Sequence, residues 1–148
     1  MKSLASAEVV SETRARLLKV EAGDRALWGK MTATQMVRHV GCAYEVALGE
    51  REMGRVKMRF PKVVKWVALR SGVKWPKNVK TTPELERLTQ EETGGVWEEL
   101  VEAAIVKMEA VARTPRECEH PIFGLLTAEE WLRWGYLHAD HHLRQFGR

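Results

Sequence analysis

The sequence predicts an all-α fold, namely a four-helix bundle with a short extra helix in one crossover between the long helices. Three observations lead to this prediction. Apolar residues recur at helical spacing in four long segments and one short one. Two of the long segments follow a capping box, in which a hydroxyl and a Glu or Gln side chain bond the free backbone amides at a helix start. No segment shows a convincing strand alternation, and no Asn-Gly or Asp-Gly hairpin turn occurs.

The predicted helices cover residues 6–20, 33–48, 61–71, 90–112 and 128–146. The second and the last helix have the clearest starts, because Thr32 precedes Gln35 and Thr127 precedes Glu130 at capping-box spacing. After three of the segments, a glycine occupies a position that commonly ends a helix: Gly49, Gly72 and Gly147.

The composition is that of an ordinary globular protein. A chain of 148 residues with 45% hydrophobic and 30% charged residues can bury a core of its own, so we expect one domain over residues 1–148. The N-terminus lacks the apolar stretch of a signal peptide, and no run approaches the roughly 18 apolar residues of a membrane span. Two cysteines, Cys42 and Cys118, do not make a disulfide framework. These features predict a cytoplasmic protein with no membrane span.

Positive charge is concentrated in residues 51–80, which we call the basic segment. It holds ten Lys or Arg and one Glu, a local balance of +9, whereas the rest of the chain holds 14 basic and 19 acidic residues. Such a segment is either a solvated surface that keeps the protein soluble or a binding site for an anionic partner. We do not expect nucleic acid, because no known nucleic-acid-binding module matches and the remaining surface is acidic.

Three of the five histidines lie at helical positions that bring them together. His138 and His142 are four residues apart and continue the apolar stripe of the last helix. His39 lies on an apolar side of the second helix. A single histidine in such a place is ordinarily a hydrogen-bonded core residue, but three inward imidazoles together also fit a divalent metal ion with coordination positions left open. The spacing alone leaves both interpretations open.

Two blocks of the sequence resemble a known family. They are "LWGKMTATQMVRHVGCAYEVALGE" (27–50) and "HPIFGLLTAEEWLRWGYLHADHHLRQFG" (120–147), and they resemble an uncharacterised bacterial branch of the DinB/YfiT-like superfamily. The resemblance implies a four-helix bundle with up-down-down-up connections, in which one histidine of the second helix and a His-x-x-x-His pair of the last helix hold a divalent metal. Carried over to this chain, the ligands are His39, His138 and His142.

The resemblance also implies a function. Some members of the superfamily transfer low-molecular-weight thiols, such as bacillithiol or mycothiol, to electrophiles. It therefore favours a metal-dependent transferase or hydrolase that acts on a small molecule, with Zn²⁺ or Ni²⁺ as the metal and a low-molecular-weight thiol as a further cofactor. Dimers are frequent in the superfamily, which favours a homodimer. The alternative is a non-catalytic bundle with a structural or vestigial metal site that binds an anionic partner through the basic segment.

Further residues are candidates for the surroundings of the metal site. His141 is a candidate for a partner of the ligands or a spare ligand, and its position on the flank favours the rim of the site. Gln145 either hydrogen-bonds a metal-bound water or a substrate or fixes the helix packing. No catalytic residue is identified. The candidates for lining the pocket are Cys42, Trp66, Trp75 and Trp131. A cysteine such as Cys42 is more often a small buried apolar residue, and His120 is expected to lock the loop before the last helix. We also expect the basic segment to pack beside the three histidines, with at least one of its aromatic residues lining the pocket: Phe60, Trp66 or Trp75.

Overall fold

The computed structural model of the protein describes residues 1–77 and 95–148, together with Pro83 and Arg87. In these residues it has five α-helices and one small antiparallel sheet. The elements are, in chain order, α1 (Ala7–Leu17), α2 (Ala33–Leu48), α3 (Pro61–Arg70), α4 (Trp97–Arg113), β1 (Cys118–His120), β2 (Gly124–Leu126) and α5 (Ala128–Gln145). The predicted mostly α-helical fold is confirmed, whereas the up-down-down-up connection stays a prediction.

The capping boxes fix the starts of the two helices that carry the histidines. The backbone N–H of Gln35 donates to Thr32 Oγ1 (3.2 Å), and the N–H of Thr32 donates back to Gln35 Oε1 (2.9 Å). The same exchange joins Thr127 and Glu130 at the start of α5. The end of α2 is set by Gly49, whose φ of +70° is left-handed and therefore strained for other residues. The start predicted for the fourth helix, at residue 90, lies outside the described residues.

The core forms where α2 packs against α4 and α5, and where α1 packs against the same two helices. Each of the four helices presents a stripe of apolar side chains at helical spacing, and these stripes meet in the interior. Met36, Ile105, Met108 and Leu143 are fully buried there. Burial of a side chain of this size contributes about 1.5–3 kcal/mol to folding. The core therefore fixes the faces of α2 and α5 that point toward each other.

α2 contacts α5 at Gly135. The hydroxyl of Tyr44 on α2 donates to the backbone oxygen of Gly135 at 3.1 Å. A Cβ atom at residue 135 would lie 2.9 Å from Leu4 Cδ1 and 3.3 Å from Tyr44 Cε1. Because Leu4 and Tyr44 are 1% and 0% exposed, neither side chain has free space into which to move. Glycine has only a hydrogen atom as its side chain, and it therefore allows α2 and α5 to approach each other at residue 135.

We expect Gly135→Ala to lower the free energy of unfolding by about 1 kcal/mol, because overpacking costs about 1–3 kcal/mol and helix propensity returns at most about 1 kcal/mol. Gly41→Ala is the matched control, since its Cβ would meet Ala104 Cβ at an ordinary 3.7 Å. It should raise stability by up to about 1 kcal/mol. Urea unfolding of both variants measures the difference, and equal effects of the two substitutions would contradict this account of the contact.

The expectation that the protein contains no strand is wrong at one place. β1 and β2 form a short hairpin with Cys118 opposite Leu126 and His120 opposite Gly124. Strands of three residues are too short to produce a recognisable alternation of apolar and polar residues. The hairpin leads directly into α5 and brings His120 into the interior, where it is 4% exposed.

The described part of the basic segment, up to Lys77, packs beside α5 through α3, and residues 78–80 lie outside the described residues. Lys65 on α3 forms an ion pair with Glu130 on α5 (2.9 Å), and Arg55 forms one with Glu119 on β1 (2.5 Å). Part of the positive charge is therefore balanced by acidic groups of the bundle. None of the described helices is long and apolar enough to cross a membrane.

Candidate metal centre

Three histidines from two helices form a buried cluster. His39 lies in the middle of α2, and His138 and His142 lie one turn apart on α5. The three residues are 3%, 7% and 8% exposed, in that order. One ring nitrogen from each residue lies within 4.8 Å of the other two, and the Nε2 atoms of His39 and His138 are 2.9 Å apart. The spacing on α5 puts two imidazoles on one face, and the packing of α2 against α5 adds the third.

The ring of His142 is oriented by Gln145. His142 Nδ1 lies 2.9 Å from Gln145 Oε1, and the amide nitrogen of Gln145 donates to the backbone oxygen of Trp28 at 2.8 Å. Because the amide nitrogen is held by Trp28, its oxygen faces the histidine, and His142 Nδ1 must carry the proton. The lone pair of His142 is therefore on Nε2. A hydrogen bond of this kind is how proteins fix the tautomer of a metal-binding imidazole.

Burial keeps the three imidazoles neutral. It lowers the pKa of His39 and of His138 well below the usual value, and the neighbouring histidines lower both further. The pKa of His142 is lowered to about 4 by burial, although the hydrogen bond from Gln145 acts in the opposite direction. Metal binding requires deprotonated ligands. All three rings therefore have a lone pair available at neutral pH.

The donor set fits a divalent metal ion. The Nδ1 atoms of His39 and His138 are buried and have no hydrogen-bond partner among the described residues. A single proton between the two Nε2 atoms would satisfy only that pair, whereas a cation accepts one nitrogen from each of the three rings. Nitrogens bound to one tetrahedral Zn²⁺ lie about 3.3 Å apart for Zn–N distances of about 2.0–2.1 Å. The 2.9 Å between the two Nε2 atoms is close to this value.

The three histidines line a cavity of about 420 Å³. Its walls come from α2, α3, the residues after α3, the hairpin and α5, and most of them are apolar. Among the described residues, the polar lining consists of five histidines and Lys74. A cavity of this size with few polar groups is typical of small-molecule sites. A small molecule that enters the cavity can therefore contact the three histidines.

No described carboxylate or thiol lines this cavity. Asp140, the nearest acidic residue in sequence to the ligands, is held by Arg16 and Arg144 at 2.9 and 2.8 Å. Burial raises the pKa of Cys42, and it also raises the pKa of Cys118. Both thiols are thus poor nucleophiles at neutral pH. The described residues therefore offer imidazoles and one lysine as the reactive groups of the site.

The sequence profile of the DinB superfamily matches residues 7–146. The chain belongs to the DinB superfamily. The match spans both histidine-bearing helices and agrees with the buried three-histidine cluster. No curated protein and no solved structure matches the chain significantly. The homodimer that the resemblance implies stays a prediction.

Two of the four predicted pocket residues of this DinB protein lie in the cavity wall. Trp131 and Trp75 line it, and the Trp75 ring centroid is 6.4 Å from that of His138 and 6.1 Å from that of His141. Trp75 of the basic segment therefore lies beside the three histidines. His141 also lines the cavity, but its ring is outside the group of three.

The other two predicted pocket residues do not line the cavity. Trp66 is 58% exposed, because it lies on the face of α3 that points away from the bundle. Phe60, at the start of α3, is 61% exposed and is also absent from the cavity wall. Cys42 is half-buried on α2 and does not line the cavity, although a spacing of three residues puts it on the same side of the helix as His39. Helical periodicity therefore could not exclude Cys42, and only the tertiary packing does.

His120 locks the loop before α5, as predicted. Its Nδ1 accepts hydrogen bonds from the backbone N–H groups of Ile122 (3.1 Å) and Phe123 (3.3 Å), and its ring stacks on the Phe123 ring. No sequence pattern indicated that His120 also lines the cavity. The hairpin, which the sequence did not predict, brings it there.

We expect acid to destabilise the DinB protein in part through His120. Burial lowers the pKa of this residue to about 3, whereas the unfolded chain has a value near 6.5. The unfolded state therefore takes up a proton first, and stability falls as the pH drops below about 6.5. Between pH 7 and pH 5, the loss from this residue is about 2 kcal/mol.

His120→Asn tests this account, because the Asn oxygen can replace Nδ1 as the acceptor in the turn but does not titrate. The variant should be less stable at pH 7, since aromatic packing is lost, yet its stability should fall less between pH 7 and pH 5. Chemical unfolding of the metal-free proteins at both pH values measures the two slopes. Parallel pH profiles would show that His120 does not contribute.

Proposed function

We propose that this protein binds a divalent metal ion, Zn²⁺ or Ni²⁺, through His39, His138 and His142 and catalyses a reaction of an apolar small molecule there. The reaction is either the transfer of a low-molecular-weight thiol to an electrophile or a hydrolysis. The observation that supports this most directly is the convergence of three neutral imidazoles in the wall of an apolar cavity.

The chemistry of the cavity wall supports an external nucleophile. An ion held by the three histidines would lower the pKa of a bound thiol or water and so generate the nucleophile. The chain supplies none of its own among the described lining residues, which include no cysteine and no carboxylate. Both cysteines of the protein lie elsewhere with raised pKa values. A thiol or a water molecule is therefore the nucleophile that suits this site.

The remaining residues of the site would bind and orient the substrate. Trp134 stacks on His138 with ring centroids 4.5 Å apart and planes 12° apart, which holds that imidazole in one orientation. Trp75 closes another side of the cavity, and its indole N–H is engaged by the backbone oxygen of Ala68 at 2.9 Å. These rings leave apolar surface toward the cavity. They favour an electrophile with an aromatic or aliphatic body.

A conjugation assay tests the proposal. Bacillithiol, mycothiol or cysteine is mixed with 1-chloro-2,4-dinitrobenzene; the sulfur bonds to the ring carbon, the carbon–chlorine bond breaks, chloride leaves and the thiol proton goes to solvent. We expect a rate that requires Zn²⁺ or Ni²⁺ and exceeds that of the free ion, and we expect His39→Ala to abolish it. Hydrolysis of p-nitrophenyl esters provides the second assay. Equal rates for the metal-loaded protein and His39→Ala in both assays would refute a catalytic role.

One observation favours the alternative, a non-catalytic bundle that binds an anionic partner. Lys62 and Lys74, in the basic segment, are exposed and have no ion-pair partner among the described residues. A gel shift with nonspecific DNA at increasing salt tests this function, because phosphate contacts weaken steeply with salt. Binding that survives His39→Ala but is lost when Lys62, Lys65 and Lys74 are neutralised would support it.

A further inference from the structure

The two ring nitrogens of His120 are in different situations. Nδ1 accepts hydrogen bonds from two backbone N–H groups, those of Ile122 at 3.1 Å and Phe123 at 3.3 Å. A nitrogen that accepts these bonds cannot itself carry a proton, so the proton of the neutral ring must be on Nε2. The turn of the hairpin therefore fixes the tautomer of His120 and makes Nε2–H a donor.

None of the described residues accepts a hydrogen bond from the Nε2–H group of His120, although the side chain is 4% exposed and lines the cavity. Nε2 of His120 is not fully enclosed by protein atoms, whereas the Nδ1 atoms of His39 and His138 are. Polar groups in a protein interior almost always have a partner. Because Nε2–H is open to the cavity, its acceptor can come from there, either as water or as a bound molecule.

The ring of His120 is held rigidly beside the candidate metal centre. The Phe123 ring stacks on it with ring centroids 4.6 Å apart and planes 20° apart. The ring centroids of Trp131 and Trp134 lie 5.3 and 4.9 Å from that of His120. Trp134 also stacks on His138. One indole therefore sets the positions of the donor and of a ligand histidine, and both histidines line the same cavity.

The donor is neutral and stands in apolar surroundings. Burial lowers the pKa of His120 to about 3, so the ring stays uncharged at neutral pH and cannot act as a cationic anchor. Apart from the histidines, the described polar lining of the cavity is Lys74. A neutral N–H group surrounded by aromatic rings suits a neutral acceptor, such as a carbonyl oxygen, because the donor itself adds no charge that would offset the dehydration of an anion.

We propose that His120 is a substrate-positioning residue, whose Nε2–H binds a carbonyl-type oxygen of an apolar small molecule in the cavity of the three histidines. The substrate class of the proposed reaction is then an apolar carbonyl compound, for example an enone, an ester or an amide. In this respect the inference rests on the proposed function, but the binding itself can be measured without the metal.

The first measurement is the tautomer of His120. Long-range proton–nitrogen correlation spectra of the metal-free protein, labelled with ¹⁵N-histidine and assigned by comparison with His120→Asn, distinguish a protonated from an unprotonated ring nitrogen. We expect a protonated Nε2 and an unprotonated Nδ1 at pH 7. A protonated Nδ1 would overturn the proposal, because Nε2 would then be an acceptor.

The second measurement compares two probes of equal shape, acetophenone and isopropenylbenzene, in which a methylene group replaces the carbonyl oxygen. We expect acetophenone to bind the metal-free protein about three- to tenfold more tightly after correction for the difference in solubility, as one net hydrogen bond provides. It should also shift the His120 Nε2–H resonance. An equal affinity for the two probes, or no binding of either, would overturn the proposal.

Two variants separate ligand binding from the structural role of His120. His120→Asn keeps an acceptor for the turn but has no N–H at the Nε2 position, so it should lose the preference for acetophenone. His120→Gln can place an amide N–H near the Nε2 position but lacks the turn acceptor, so it should be less stable and keep part of the preference. A structural role alone would change stability and leave the ratio of the two affinities unchanged. Metal titration of the same proteins tests the metal centre separately, so that failure of one proposal is distinguishable from failure of the other.

Discussion

Replacing His39 by alanine is expected to weaken the binding of a divalent metal ion by about 100-fold or more, because even residues that only support a ligand change affinity by about 10- to 100-fold. His39 contributes the only nitrogen of the cluster that comes from α2, and its Nε2 lies 2.9 Å from that of His138. Without it, two imidazoles on α5 would hold the ion from one side. We expect the wild-type protein to bind about one Zn²⁺ or Ni²⁺ per chain, as measured by elemental analysis and by titration against a chelator.

His141→Ala is the matched control for this prediction. His141 is also buried, at 7% exposed, and its ring centroid is 5.2 Å from that of His142, but the ring is not part of the group of three. The control should change metal affinity by no more than a few-fold. If His39→Ala binds metal as tightly as His141→Ala does, His39 is not a ligand. If the wild-type protein binds no metal after reconstitution, the proposed function is wrong as a whole.

Replacing Gln145 by methionine is expected to weaken metal binding by about 10- to 100-fold, although Gln145 would not touch the ion. Its side-chain oxygen lies 2.9 Å from His142 Nδ1 and fixes the tautomer that leaves Nε2 free to bind. Methionine has a similar length but offers no comparable acceptor. His142 can then adopt the other tautomer and turn its ring, so that the ligand must be reordered each time an ion binds.

Gln145→Glu is the comparison that isolates this hydrogen bond. Both substitutions remove the donor that bonds the backbone oxygen of Trp28 at 2.8 Å, so both should lower the stability of the metal-free protein. Glutamate, however, keeps an acceptor for His142 Nδ1, and it should bind metal with an affinity close to that of the wild type or higher. Chelator titrations measure affinity, and thermal unfolding without metal measures stability. Equal metal affinities of the two variants would refute the orienting role of Gln145.

Much of the candidate metal centre could be predicted because the relevant information is local. An α-helix of fixed period brings His138 and His142 to one face, and the capping box at Thr127 sets the start of that helix. The predicted boundaries of α2 agree with the observed ones, since a capping box and a glycine mark its two ends. Helical spacing selected His39 as an inward imidazole, and the resemblance to a family supported its assignment to the same cluster, because spacing within α2 does not specify which neighbour its apolar side meets.

The two tryptophans of the basic segment show where local information ends. Both were equal candidates for the pocket. Trp75 reaches the cavity because its indole N–H donates to the backbone oxygen of Ala68 at 2.9 Å, which folds the residues after α3 back over that helix. Trp66 stays exposed because Lys65, the residue before it, is turned toward α5 by the ion pair with Glu130. The Lys65–Glu130 pair joins residues far apart in the chain, and the Trp75–Ala68 bond depends on the path of the chain after α3. A spacing pattern contains neither contact.

The sequence by itself determined the helical segments, their caps and the pairing of two histidines on one helix face, because each depends on residues within a few turns of one another. Only the tertiary structure decided that the cavity is apolar, that no described carboxylate lines it and that a hairpin turns His120 into its wall. The physical reason is that a cavity is bounded by faces of several elements at once. Which faces meet is settled by the packing of α2, α3 and α5 together, and not by any one of them.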